Sequence, residues 1–313
     1  MNAPDPSRID VRHPPIQLAV LVGLGAIGTM LAAKITEREP SALRILADAE
    51  RIRRYQMDPP AFNGRRLNLV MVSPEQSGPP ADLVLVAVKS IALDEVLPTL
   101  ATVLTEHTQI LPLLNGLGAQ ETLATAFGWK RVLHGFVYCE SAMRTGHAVV
   151  QDGEAKVVFG EPSNEPPSAR VVAVSDFFKG MGIDHHIPAD MQTAQWRKWI
   201  LNVGINQAQA LLRQPNRELQ QNPKAMRLAR DLMNEAAAIA EASGIPGASE
   251  IPAWAESVIR AAAPDNRTSM LQDVEAGRAP EVDLFAATVC RLGKTHGIPT
   301  PANERALRRL SGT

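Results

Sequence analysis

LAVLVGLGAIGTMLAAKI, residues 18–35, decides the fold. Five apolar residues, Leu18 to Val22, read as a buried strand, and the strand is expected over IQLAVLV, residues 16–22. Gly23, Gly25 and Gly28 follow at once in GxGxxG order, and AIGTMLAAKITER, residues 26–38, has helical character. In such a strand–loop–helix unit the first glycine permits the tight turn. The second leaves room for a pyrophosphate, and the third lets helix and strand pack closely. Backbone N–H groups of the loop, Gly23, Leu24, Gly25, Ala26, Ile27 and Gly28, then face the phosphates at the helix start. A purely structural glycine turn is the rival reading, and the flanking strand and helix favour dinucleotide binding.

The same rhythm continues outward from the loop. LRILA (43–47), DLVLVAV (82–88) and QILPLL (109–114) read as further buried strands with helices between them, the pattern of a parallel sheet covered by helices. Asn63-Gly64 marks a turn between extended segments. RVLHGFVYCES, HAVVQDG and AKVVFG read as short strands that extend this sheet antiparallel, followed by a helix over 168–181 and a last strand in IDHHIP. Beyond Pro188 the periodicity is helical almost throughout, interrupted at QPNRE, GIPGASEIP, APDNRTS and GIPTP. The expected organisation is therefore a loose tail over 1–15, an α/β unit over 16–188 and a helical unit over 189–313.

Composition narrows the class of function. Hydrophobic residues make up 45% and charged residues 21% of the 313, the profile of a globular chain with a substantial core. The 32 basic and 33 acidic side chains give a formal net charge of -1, with no basic run that follows a phosphate backbone, so nucleic acid is not an expected partner. Two cysteines, Cys139 and Cys290, are too few for a disulfide framework or a thiolate metal site. His185 and His186 are adjacent on a strand and point to opposite faces, so no metal site is expected. No apolar run has the length of a membrane span, and a cytoplasmic setting is expected.

Two further regions carry candidate chemistry. In QWRKWILNVGINQAQ, residues 195–209, the four-residue spacing of Lys198, Asn202 and Asn206 places all three on one stripe of an otherwise apolar helix. Such a stripe meets either a ligand or water, and the helix alone leaves both open. LRILA ends at Asp48, where an acid suits the ribose of NAD, while Arg51, Arg53 and Arg54 follow and suit the 2′-phosphate of NADP.

The ordered blocks GLGAIG, VAVKS, LLNG, WRKWILNVGIN, PNREL and SMLQDVEAGRAPEVD resemble those of ketopantoate reductases, from about residue 16 to GIPTPANE. The resemblance implies a Rossmann-type N-terminal domain followed by an all-helical C-terminal domain of the 6-phosphogluconate-dehydrogenase type. A small 2-oxo acid binds between them and is reduced by a nicotinamide hydride. It further implies Lys198 as the proton donor, Asn202, Asn206, Asn216 and Ser269 as substrate ligands, and Glu281 as acceptor of a substrate hydroxyl that also helps position Lys198. Lys89 and Asn115 border the nicotinamide, with Asn115 also reaching the substrate. NADPH is the family's usual reductant, whereas Asp48 keeps NAD open. Taken singly, Asn115-Gly116 reads first as a simple turn, and Ser269 and Glu281 also have structural readings, as a helix N-cap and as decoration of a first helical turn. Ala286-Ala287 departs from the family's usual Asn-Gly at that place. A homodimer through apolar residues exposed on the helical part is also expected. A related 2-oxo acid reductase and a non-catalytic NAD(P) sensor are the alternative functions.

Overall fold

The computed structural model describes residues 13–311. Most of the expected N-terminal tail lies outside them; His13, near its end, meets Gln109 at 3.1 Å.

The α/β part begins with β1 (Ala19–Val22), every residue of which is buried, and α1 (Ala26–Arg38). It continues through β2 (Leu43–Leu46), α2 (Ala49–Met57), β3 (Ala61–Phe62), β4 (Arg65–Arg66), β5 (Met71–Val72) and β6 (Leu83–Val86). Then come α3 (Leu93–Ala101), β7 (Gln109–Pro112), α4 (Ala119–Phe127), β8 (His134–Thr145), β9 (Ala148–Gly160), α5 (Ala169–Gly180) and β10 (His185–His186). The expected parallel sheet is present in the order β5-β2-β1-β6-β7. Its register sets Ala19 beside both Leu43 and Leu83. Helices cover both faces, with α1 and α5 in one apolar cluster and α3 and α4 in the other. Strand order reverses at β1, so a crevice opens beyond the carboxyl ends of β1 and β6, where open α/β sheets bind ligands.

The later strands depart from the expected arrangement. β8 pairs antiparallel with β9, and β9 pairs parallel with β3 and β10, forming a second sheet rather than an extension of the first. Among the described residues, a single parallel bridge, Ile110 to Val132, ties the approach to β8 to the edge of the first sheet. From His134 onward the backbone groups of β8 are taken by β9, so no long strand remains to pair with β7. HAVVQDG and AKVVFG are one strand, β9, running through Gly153.

The helical part consists of α6 (Met191–Leu212), α7 (Asn216–Gln221), α8 (Pro223–Ala242), α9 (Ile251–Ala261), α10 (Ser269–Glu275), α11 (Ala286–His296) and α12 (Pro301–Leu310). Asp190 caps α6 by accepting from the Thr193 N–H at 2.9 Å. Fourteen of its 22 residues are buried, the behaviour of a central helix surrounded by others. Gly204 lets α8 close on it: a Cβ there would meet the Met233 side chain and the Ala229 carbonyl. The expected exposed apolar residues on this part are not found. Among the described residues, the large exposed hydrophobics are Met57, Val70, Ile91, Trp129, Met143, Val150 and Val172, all before α6. The apolar residues of the helices are spent on their own core. No helix among the described residues is long and apolar enough to cross a membrane.

Candidate active site

Gly23 sits at φ +97, a backbone region that L side chains rarely adopt, and a Cβ there would meet the Ala87 carbonyl oxygen at 2.5 Å. A Cβ on Gly28 would overlap the Gly23 carbonyl oxygen. Gly25 is different: it is the N-cap of α1, and the nearest atom to a Cβ would be 3.9 Å away. The loop is thus tight on its protein side and open at Gly25, with no side chain capping the helix start. A pyrophosphate fits that cradle, facing uncapped N–H groups and the positive end of the helix dipole.

Asp48 stands at the end of β2 as the N-cap of α2. Its carboxylate accepts from the Arg51 N–H at 2.7 Å and lies 3.5 Å from the Arg51 guanidinium. Acid and base at the expected adenosine-ribose end therefore face one another.

Lys89 follows β6, and its ammonium lies 3.0 Å from Asp273 of α10. Asp273 also accepts from Arg278 at 2.7 Å and is 8% exposed, so two cations hold it. Asn115 follows β7 and accepts from the Asn202 amide at 3.5 Å, joining the sheet part to α6. The turn after Asn115 is fixed by Gly116, at φ +93, against Leu284, whose carbonyl accepts from the Trp199 indole at 2.8 Å. One turn further along α6, Asn206 accepts from the Ser269 hydroxyl at 3.4 Å. Ser269 is not the cap of α10; Thr268 is, which leaves the Ser269 hydroxyl for Asn206. Asn202 and Asn206 are each only 5% exposed.

Lys198 completes the stripe. Its ammonium lies 4.7 Å from the centre of the Tyr138 ring and makes no hydrogen bond or ion pair among the described residues. Burial pulls it down to about 8, an effect that Cys139 opposes slightly. Burial also pushes the Cys139 thiol up, against the nearby Lys198, and pushes Tyr138 up to about 12. Glu281 precedes a short turn, Val282–Leu284. Burial raises its carboxyl above the usual range; Lys89 lowers it, Asp273 raises it, and the Ser90 N–H lowers it. Glu281 is therefore set among Lys89 and Asp273, and no ion pair joins it to Lys198.

Asn216 is not with this group. It is fully buried at the start of α7, and its amide donates to the Ile259 carbonyl at 2.9 Å, while its amide oxygen has no hydrogen-bond partner among the described residues. The Ala286 that departs from the family pattern is buried in the helical core. His185 is taken by Ser175 and the Ile183 carbonyl, and no cluster of potential metal ligands occurs among the described residues. The sequence reading missed Tyr138, Cys139 and Asp273. Asp273 had a signal, since it lies four residues after Ser269 on one helix; the two β8 residues had none.

A dinucleotide cradle at the end of a parallel sheet, joined through Asn115 and Lys89 to an amide-lined helix that also carries a half-buried lysine, defines a two-part NAD(P)-dependent oxidoreductase. The sequence pattern described as "Ketopantoate reductase PanE/ApbA" matches residues 19–164, and its C-terminal counterpart, "Ketopantoate reductase PanE/ApbA C terminal", matches residues 190–312. The chain belongs to the ketopantoate reductase family. It is 27% identical to the 2-dehydropantoate 2-reductase of Mesorhizobium japonicum, covering 93% of this chain and 97% of that protein. It is also 27% identical to that of Mycobacterium tuberculosis, covering 91% and 93%. Among solved structures, the 2-dehydropantoate 2-reductase of Geobacter metallireducens superposes with a TM-score of 0.79 at 27% identity, covering 94% and 99%. A D-mandelate dehydrogenase bound to NADH and anilino(oxo)acetate shares the fold, with a TM-score of 0.84 at 20% identity over 94% and 98%.

Proposed function

We propose that the chain reduces 2-dehydropantoate to D-pantoate, a step toward pantothenate, with NADPH as reductant. The observation that carries this reading is the Lys198 ammonium, without a hydrogen bond or ion pair among the described residues, on the same helix as Asn202, whose amide meets the Asn115 that follows β7. When bound, the nicotinamide supplies the hydride. Lys198 supplies the proton: alkoxide character grows on the ketone oxygen as hydride arrives, and an ammonium stabilises that charge and then neutralises it. A donor near 8 is protonated at neutral pH yet releases its proton more readily than an ordinary lysine. Ser269 and Asn206 offer a hydroxyl and an amide to the substrate carboxylate, Asn202 and Asn115 hold the ketone end, and Glu281 accepts from a substrate hydroxyl.

Arg51 turns from Asp48 to the 2′-phosphate in this reading, while Asp48 itself supports the NADH alternative. A second substrate reading, a 2-oxo acid with an apolar side chain, is favoured by the Tyr138 ring beside Lys198. The test is nicotinamide absorbance over time with 2-dehydropantoate and a panel of apolar 2-oxo acids, each with NADPH and with NADH. Fastest turnover of 2-dehydropantoate with NADPH supports the proposal. Faster turnover of an apolar acid replaces the substrate, and bound cofactor with no oxidation of any kind leaves a sensor.

A further inference from the structure

Most polar groups around the stripe have a polar partner, but the Lys198 ammonium faces an aromatic ring. Tyr138 is held firmly enough to act on it. Its backbone is fixed by the β8 pairing with Lys156 just before the irregularity between Cys139 and Ser141. Its ring meets Phe136 edge-on at 5.2 Å and packs against both the helical core and the small cluster of Phe136, Val158 and Met191. A ring face carries negative quadrupole potential and attracts a cation within about 6 Å of its centre, most strongly where water is excluded. The geometry points to Tyr138 as a positioning residue whose ring holds the Lys198 ammonium in its charged form and aimed along the asparagine stripe. This rests on the reading of Lys198 as the proton donor.

Other charged groups do not take that place. From β8, only the Cys139 thiol and Tyr138 itself face the ammonium. Arg197, its neighbour on α6, stacks on Trp254 at 3.8 Å. Glu235 of α8 accepts from the Ala302 and Asn303 N–H groups, and Glu256 of α9 pairs with Arg230 and Arg260. Glu304 of α12 lies toward Cys290, and Asp273 and Glu281 lie toward Lys89. Among the described residues, the Tyr138 ring and, beside it, the Cys139 sulfur are what favour the cation, and removing the ring takes away the contact that also orients it.

The test is competitive acetylation of the free chain with acetic anhydride across pH, reading the pKa of Lys198 by mass spectrometry, alongside kcat for 2-dehydropantoate. The variants are Tyr138→Phe, Tyr138→Leu and a ring-fluorinated phenylalanine at 138 that keeps the shape but drains the ring face. Tyr138→Phe is expected to match the wild type. Tyr138→Leu and the fluorinated ring are expected to lower the Lys198 pKa by about one unit, and kcat at pH 8 by about fivefold with nearly full recovery at pH 6. If the leucine variant does not fold, the fluorinated ring decides. An unchanged Lys198 pKa in the variants that fold without an intact ring face overturns the inference. Failure of the underlying reading looks different: Lys198→Ala then keeps its kcat, whatever the ring does to the lysine.

Discussion

The Lys89 ammonium and the Asp273 carboxylate meet at 3.0 Å, joining the end of β6 to α10, and both act on Glu281 in opposite senses. Glu281 already sits above the usual carboxylate range because it is buried. Lys89→Met removes an attraction for its ionised form, so the acid limb of kcat/KM moves to higher pH. Asp273→Asn removes a repulsion, so that limb moves to lower pH. A pH profile of each variant checks this, and movement of both limbs in the same direction contradicts it.

Lys198 sets the other limb. Because burial brings it down to about 8, kcat/KM is expected to fall above about pH 8 rather than near the ordinary lysine value. Stability follows the same group with a definite sign. Between about 8 and 10.5 the unfolded chain binds the proton and the native chain does not, so native stability rises with pH through that window. Lys198→Met is therefore expected to unfold at higher denaturant than the wild type at pH 7, with the gain vanishing toward pH 10.5. Equal midpoints at pH 7 would contradict the buried, charged lysine.

The parts of the fold legible in the sequence are those in which local pattern and tertiary role coincide. β1, the glycine loop and α1 announce themselves because a continuous apolar strand, three spaced glycines and an alanine-rich helix have one common use. The second sheet was not legible, since alternation in HGFVYCES and AKVVFG reports that strands exist but not which edge each will pair with. At the candidate site, helical spacing alone put Lys198, Asn202 and Asn206 on one stripe. Their partners Asn115 and Ser269 lie 87 and 63 residues away from the asparagines they meet, and only the resemblance suggested them. Asn216 carries the same motif signal as the others, yet its amide donates to the Ile259 carbonyl in the last turn of α9. Asp48 looked like a ribose acid and serves in this structure as a helix cap.

The glycine loop separates binding from folding. Gly28→Ala is expected to lower stability, because its methyl overlaps the Gly23 carbonyl oxygen. Gly25→Ala leaves the thermal midpoint close to the wild type, since the nearest atom is 3.9 Å away and φ is an ordinary -75, but weakens dinucleotide binding by filling the cradle. Calorimetric unfolding and cofactor titration of both variants check the pair; tight binding by Gly25→Ala would contradict the cradle.

Asp48 governs the adenosine end. Asp48→Ala removes the cap of α2, which costs about 0.5–2 kcal/mol in comparable helices, and also frees Arg51. The ratio of kcat/KM with NADPH to that with NADH is expected to rise several-fold. An unchanged ratio would mean that neither side chain reads the ribose.

The central claim is that Lys198 donates the proton. Its most direct test is kcat of Lys198→Ala on 2-dehydropantoate at saturating NADPH, with the dinucleotide dissociation constant measured on the same preparation. The expected result is a fall of about 10²–10⁴-fold in kcat with dinucleotide affinity preserved. A kcat equal to that of the wild type would contradict it.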